Sequence, residues 1–253
     1  MGKNKLKKFA EIEQLDCVYQ YPREVILTQG FPHKGKWNDE VFENSNPIVV
    51  ELGCGKGEYT VALAKQNSGK NFIGIDIKGA RIWSGAKEVA AADIKNAKFL
   101  RTEIENLSSF FSPGEIDEIW ITFPDPQMQK SRKRLTSTRF LKQYAELIKE
   151  GGTVHLKTDS PFLFEYTKRL VEKNGLEIKM ITDDLYGSGK ADPVNSIKTF
   201  YESQWLSRGK KIKLISFVLN TLRELTEPES DDIPRDDYRA YTRHNPNLQQ
   251  QPS

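Results

Sequence analysis

Between residues 48 and 218 short apolar runs alternate with amphipathic stretches, and this rhythm predicts the architecture. Ile48-Val49-Val50 is apolar at every position, which suits a strand covered on both faces rather than one. Further strands are predicted over Asn71 to Asp76, Ala97 to Leu100, Glu118 to Phe123, Thr153 to Lys157 and Leu176 to Ile181. The last, Lys211 to Val218, starts with strict alternation. Helices are predicted between them over Tyr59 to Gln66, the alanine-rich Lys78 to Ala92, Phe140 to Ile148 and Pro161 to Asn174. Proline opens the last of these and Gly175 stops it. Strand and helix in turn predict an α/β, Rossmann-like domain over 47–222, with a mostly parallel seven-stranded sheet and helices on both faces.

The ends break the rhythm. Residues 1–46 begin with Lys3, Lys5, Lys7 and Lys8 and then turn through Tyr21-Pro22 and Gly30-Phe31-Pro32. They are expected to form a basic arm, either frayed or laid along phosphates. Residues 223–253 carry Glu227, Glu229, Asp231, Asp232, Asp236 and Asp237 and are expected to be a flexible acidic tail. The Asp- and Gly-containing stretch from Asp183 to Ile197 is expected to be a loop and a candidate lid.

Composition narrows the class. Hydrophobic residues at 37% and charged residues at 29% support a real core, and a net charge of +3 leaves partner choice to where the charges sit. Cys17 and Cys54 are too few for a disulfide framework, which points to a reducing cytoplasm. The three histidines are scattered, so no metal is expected, and no apolar run approaches the length of a membrane span.

Candidate chemistry begins where the first strand ends, at Glu51-Leu52-Gly53-Cys54-Gly55-Lys56-Gly57-Glu58. Glycines at 53, 55 and 57 let the backbone turn and approach a ligand where a Cβ would collide. A dinucleotide fingerprint would need glycine at position 58, which is Glu58. E-x-G-x-G-x-G is instead the first-loop pattern of class I methyltransferases that use S-adenosylmethionine. Asp76 ends the second strand 23 residues after Gly53, where a carboxylate meets ribose hydroxyls or else caps a helix. Glu103, with Glu105 close behind, follows the third strand, where the adenine amino group is held. Asp125 stands between Pro124 and Pro126 after the fourth strand, stiffened to face a transferable methyl group. Lys130, Arg132, Lys133, Arg134 and Arg139 follow at once, placed to grip a phosphate backbone. Asp159 ends the fifth strand at the same sheet edge.

The acceptor can be narrowed by chemistry. A cytosine C5 methylase needs a nucleophilic cysteine in the fourth-strand loop, and neither cysteine is there. An exocyclic-amine methylase favours acid-Pro-Pro-aromatic, whereas this loop reads Asp125-Pro126-Gln127-Met128. A ring nitrogen with an in-plane lone pair needs only a carboxylate to orient the base and balance its developing charge. Together these motifs resemble the bacterial tRNA (guanine-N7-)-methyltransferases of the TrmB type, over about residues 48–219, most specifically in F-P-D-P with its basic run, the Thr158-Asp159 pair and Thr199-Phe200-Tyr201-Glu202. The resemblance implies that Glu51, Gly53, Gly55, Gly57, Asp76, Glu103 and Asp125 bind S-adenosylmethionine and that Asp125 is the active-site acid. It implies that Lys130, Asp159, Thr199, Phe200, Tyr201 and Glu202 contact tRNA, and that the target is a guanosine in the variable loop. Gln127 stands where the family has tryptophan, and Gln129 where it has its substrate lysine, so Lys130 or a neighbouring cation takes that part. An N-methyltransferase for another RNA position or a small amine is the alternative, and the oligomeric state, monomer or homodimer, stays open.

Overall fold

The computed structural model describes residues 2–219 and 224–236. An eight-stranded sheet runs in the order β1-β4-β3-β2-β5-β6-β8-β7. The strands are β1 (Val18–Gln20), β2 (Ile48–Leu52), β3 (Asn71–Ile75), β4 (Ala97–Arg101), β5 (Ile116–Thr122), β6 (Ile148–Thr158), β7 (Ile178–Thr182) and β8 (Lys213–Val218). All neighbours are parallel except β8, which is antiparallel to both β6 and β7. Strand order reverses between β3 and β5 around β2, so β2 sits at the switch point where an open α/β sheet leaves a crevice.

The helices are α1 (Gly2–Ile12), α2 (Arg23–Gln29), α3 (Glu58–Gln66), α4 (Gly79–Ala91), α5 (Thr138–Leu147), α6 (Pro161–Lys173) and α7 (Phe200–Ser207). β2 and β3 are buried along their whole length, as their mainly apolar runs require, with Glu51 and Asn71 buried among them. Alternation divides them between two cores. Ile48, Val50 and Leu52 join α5 and α6 side chains such as Tyr144 and Tyr166 on one face, whereas Val49, Phe72, Phe99 and Trp120 meet α3 and α4 on the other.

The N-terminal region differs from the expected arm. β1 pairs in parallel with β4, Val18 opposite Phe99, and supplies the eighth strand. Helix α1 packs on α4, and Phe31, Trp37 and Phe42 enter the main core. Trp37 is fully buried, stacks on Phe111 at 5.4 Å and donates from Nε1 to the Phe110 carbonyl at 3.0 Å. Burial of aromatic area outweighs the pull of the lysines towards solvent. Residues 224–236 differ from the expected tail in the same way, with Ile233 in the core, while the expectation for 237–253 falls outside the described residues. The 183–197 loop is pinned rather than open: Leu185 is buried, Asn195 is buried, and the Ile197 carbonyl accepts from Lys157 Nζ at 2.8 Å.

Candidate active site

The turn after β2 is drawn over the end of β3 by two amides. Gly53 N and Cys54 N donate to the Ile75 carbonyl at 2.8 and 2.9 Å. Gly53, Gly55 and Gly57 all have left-handed φ, at 75°, 57° and 76°. At Gly57 an added Cβ would lie 2.5 Å from Phe99 Cε1, so the turn is pressed on the sheet there. At Gly53 the space beside the backbone is open, the kind of cradle a ligand can occupy.

Two carboxylates frame this turn. Glu51 is buried under it, where Oε2 accepts from Thr60 N at 3.0 Å and Thr60 Oγ1 at 2.5 Å, and Oε1 accepts from Thr122 Oγ1 at 2.6 Å. Burial pushes its pKa up to about 7 against the opposing hydrogen bonds of Thr122 and Thr60. Asp76 accepts from Gly55 N at 3.0 Å and from Lys78 N at 2.8 Å, which ties the glycine turn to the start of α4. Cys54 is no nucleophile: burial holds its thiol well above the ordinary range.

A cavity of about 310 Å³ opens here, lined among others by Glu51, Gly53, Gly55, Thr122, Thr199 and Tyr201. Glu103 does not reach it. That side chain is exposed beyond β4 and lines a neighbouring cavity of about 630 Å³ with Ile77, Thr102 and the N-terminal residues Tyr21 and Arg23. Ile77 follows Asp76, so the glycine turn, Asp76 and Glu103 succeed one another along the carboxyl ends of β2, β3 and β4. These acceptors, the Asp76 and Glu103 carboxylates spaced beyond a glycine cradle, fit the hydroxyl and amino donors of an adenosine.

On the other side of β2, Phe123 N donates to the Lys157 carbonyl at 2.8 Å and leads into Pro124-Asp125-Pro126. Asp125 is exposed and its Oδ1 accepts from Gln127 N at 3.0 Å. Phe123 and Gln127 both have positive φ, 49° and 47°, a sparsely populated state for such residues. The following cations separate into two kinds. Lys130, Arg132, Lys133 and Arg139 are exposed. Arg134, expected on the same phosphate-binding surface, is only 3% exposed and lies against the rings of Tyr166 and Phe162 at 4.3 and 4.8 Å. It is an internal residue because its guanidinium finds two aromatic faces and backbone carbonyls in place of water.

The Thr199 to Glu202 motif is split too. Thr199 caps α7, its side chain accepting from Glu202 N, and Phe200 N donates to Glu58 Oε2 at 2.6 Å, docking α7 on the glycine-loop helix. Phe200 and Tyr201 stand about half exposed, with Lys56 Nζ 4.6 Å over the Phe200 ring. Glu202, expected to contact tRNA, is wholly buried, paired with Lys157 Nζ at 2.8 Å and accepting from Tyr186 OH at 2.6 Å. Burial pushes the Lys157 ammonium down and Glu202 pulls it back up. Asp159 is buried as well. Thr60, Thr122 and Lys157 had no sequence signature, since each is identified only by the carboxylate it meets across the fold.

Comparison with known proteins follows the same lines. A family described as "Putative methyltransferase" matches residues 45–215. A tRNA (guanine-N(7)-)-methyltransferase of Bacteroides fragilis is 53% identical over 243 residues, covering 96% of each chain, and one of Porphyromonas gingivalis is 56% identical over 236 residues, covering 92% of this chain and 96% of the relative. The chain belongs to the TrmB methyltransferase family. The family likeness extends to a Bacillus subtilis relative of the same name, 35% identical over 191 residues and covering 75% of this chain and 88% of that one. Among solved structures, the 16S rRNA methyltransferase KamB matches with a TM-score of 0.57 at 14% identity, over 72% of this chain and 92% of that one, which is likeness of fold. In this TrmB-family chain, among the described residues, no helix is long and apolar enough to cross a membrane, and no group of His, Cys, Asp and Glu is placed to hold a metal ion.

Proposed function

We infer that this protein transfers a methyl group from S-adenosylmethionine to N7 of a guanosine in the variable loop of tRNA, in the cytoplasm. The observation that supports this reading is the cavity over Glu51 and its glycine turn, which extends to Thr122 and Phe123 where the exposed, proline-bracketed Asp125 loop begins, with four exposed cations following in the chain. Glu51, the three glycines, Asp76 and Glu103 would hold the cofactor, with Asp125 at its reactive end. Bound there, S-adenosylmethionine supplies an electrophilic methyl group on a sulfonium.

Guanine N7 has an in-plane lone pair and no proton to lose, so the protein's work is alignment and charge balance. Asp125 orients the guanine and offsets the positive charge that grows on its ring. Phe200 and Tyr201 offer aromatic faces to nucleotides, and Lys130, Arg132, Lys133 and Arg139 take phosphates, Lys130 or a neighbour being nearest the target. Glu202 and Asp159 act from within, Glu202 by holding α7 and its aromatics in place.

Incubation with labelled S-adenosylmethionine and unmodified tRNA, then digestion to nucleosides, tests the assignment. Label in 7-methylguanosine supports it, and label in another nucleoside or none refutes it. Asp125→Ala is expected to abolish turnover while sparing most tRNA affinity.

A further inference from the structure

The acidic segment 224–236 has more precise contacts than a tail needs: most fasten it to α5 and α6, and two reach the Asp125 loop and its Arg134. Glu227 Oε1 accepts from Thr138 N at 2.9 Å and Thr138 Oγ1 at 2.7 Å, fastening the segment at the start of α5. Its other oxygen accepts from Tyr166 OH on α6. Asp232 pairs with Arg169 at 2.8 Å, and Ile233 is buried. Asp236 accepts from Ser160 Oγ and from Phe162 N, which places its carboxylate at the start of α6. Its own amide then donates to Met128 Sδ at 3.2 Å.

Arg134 closes the arrangement from the other side. Nε donates to the Gln127 carbonyl at 3.3 Å, Nη2 to the Met128 carbonyl at 3.1 Å, and Nη1 to Ser230 Oγ at 3.4 Å. One guanidinium therefore joins the Asp125 loop to the acidic segment. Gln127 is the residue with φ 47°, a conformation that persists only where its surroundings impose it. Gln127 is also the residue whose amide donates to Asp125 Oδ1 at 3.0 Å. The carbonyl that Arg134 holds and the amide that holds Asp125 belong to one strained residue.

We propose that Arg134 and Asp236 are positioning residues that fix the Asp125 carboxylate through Gln127 and Met128, with segment 224–236 acting as a strap across the loop. The proposal rests on the reading of Asp125 given above. It distinguishes Arg134 from the exposed cations beside it, which face solvent and are free to meet phosphate. Lysine keeps the charge at position 134 but lacks the planar fork that reaches two carbonyls and a hydroxyl together.

The test compares Arg134→Lys, Arg134→Gln, Asp236→Asn and Ser230→Ala in the full chain. It reads kcat, KM for tRNA, the salt dependence of tRNA binding, thermal midpoint, and amide exchange over residues 123–130 in the absence of cofactor. Both Arg134 variants are expected to lose kcat by about tenfold or more with KM and salt slope little changed. Exchange over the loop should rise by about tenfold or more, and Asp236→Asn should move both readouts in the same direction. Raised KM with a shallower salt slope and unchanged kcat would make Arg134 a phosphate contact and overturn the proposal. A lowered thermal midpoint with loop protection and kcat intact would overturn it too, leaving a packing role alone. If Arg134→Gln does not fold, Asp236→Asn and Ser230→Ala carry the test from outside the loop. Near-normal turnover in Asp125→Asn would sink the catalytic reading, while the exchange data would still report whether the strap holds the loop.

Discussion

Cofactor binding should be coupled to the loss of one proton from Glu51. The carboxyl is buried with its pKa raised to about 7, so in the free protein roughly half is neutral at pH 7 and about ten-elevenths at pH 6. A ligand that brings sulfonium and ammonium charge to the cavity favours the carboxylate, so the proton leaves on binding. Where the bound state holds Glu51 ionised across this range, the apparent affinity for S-adenosylmethionine falls about twofold at pH 7, about elevenfold at pH 6 and about a hundredfold at pH 5. The elevenfold loss corresponds to about 1.4 kcal/mol. Titration calorimetry between pH 5 and 7.5, in two buffers of different ionisation enthalpy, measures both the affinity and the protons released. Glu51→Gln keeps the site satisfied, since the Thr122 hydroxyl can turn to accept from the new amide; it should bind more weakly at pH 7.5 and show no pH dependence. Constant wild-type affinity from pH 7.5 to 5 would refute the coupling. The free protein carries the matching stability signature. A folded-state pKa raised above the unfolded value gives stability that is full below about 4.5 and is lost as the pH climbs through 7, so Glu51→Gln should melt higher than wild type at pH 8 and alike at pH 4.5.

Three further outcomes test other parts of the fold. Lys157→Met leaves Glu202 charged and buried and should cost about 3–5 kcal/mol in chemical denaturation, most of it recovered by adding Glu202→Leu; a loss below about 1 kcal/mol would contradict the buried pair. Trp37→Ala should cost about 3–5 kcal/mol, whereas a solvated arm would tolerate it without change in the denaturation midpoint. Phe200→Ala should weaken tRNA binding about tenfold, the scale of one lost base stack, and leave calorimetric cofactor affinity as it was; unchanged tRNA affinity would remove the aromatic shelf from the interface.

The parts legible in the sequence were those whose signal is periodic or local. β2, β3 and α4 follow from continuous apolar runs and an alanine-rich stretch, and the acids at 51, 76 and 125 fall at strand ends as expected. β1 was missed because it is three residues long and its partner lies across the sheet on β4, so nothing local distinguishes it from a turn. Phe31, Trp37 and Phe42 follow neither a helical nor a strand period, although together they fill one core. Arg134 is indistinguishable in sequence from the exposed cations around it; only Phe162 and Tyr166, one turn apart on α6, select it for burial. The acidic residues 227, 232 and 236 suggest solvation until Tyr166, Arg169 and Ser160 are placed beside them. Thr199 to Glu202 carried a helix-start signature, T-x-x-E, under its resemblance to a substrate motif, and the capping role of Thr199 and the burial of Glu202 come from that side of its chemistry.

The order of strands also constrains how the protein can be made. β1 leaves the ribosome early, yet its partner β4 follows only after about eighty more residues. At the far side β8 lies between β6 and β7, so β7 has no neighbour in the sheet until residues 213–218 are synthesised. Such long-range closure is slow. A chain stalled before β8 would leave one edge of β6 open and β7 without a sheet partner, and both invite association with neighbouring chains.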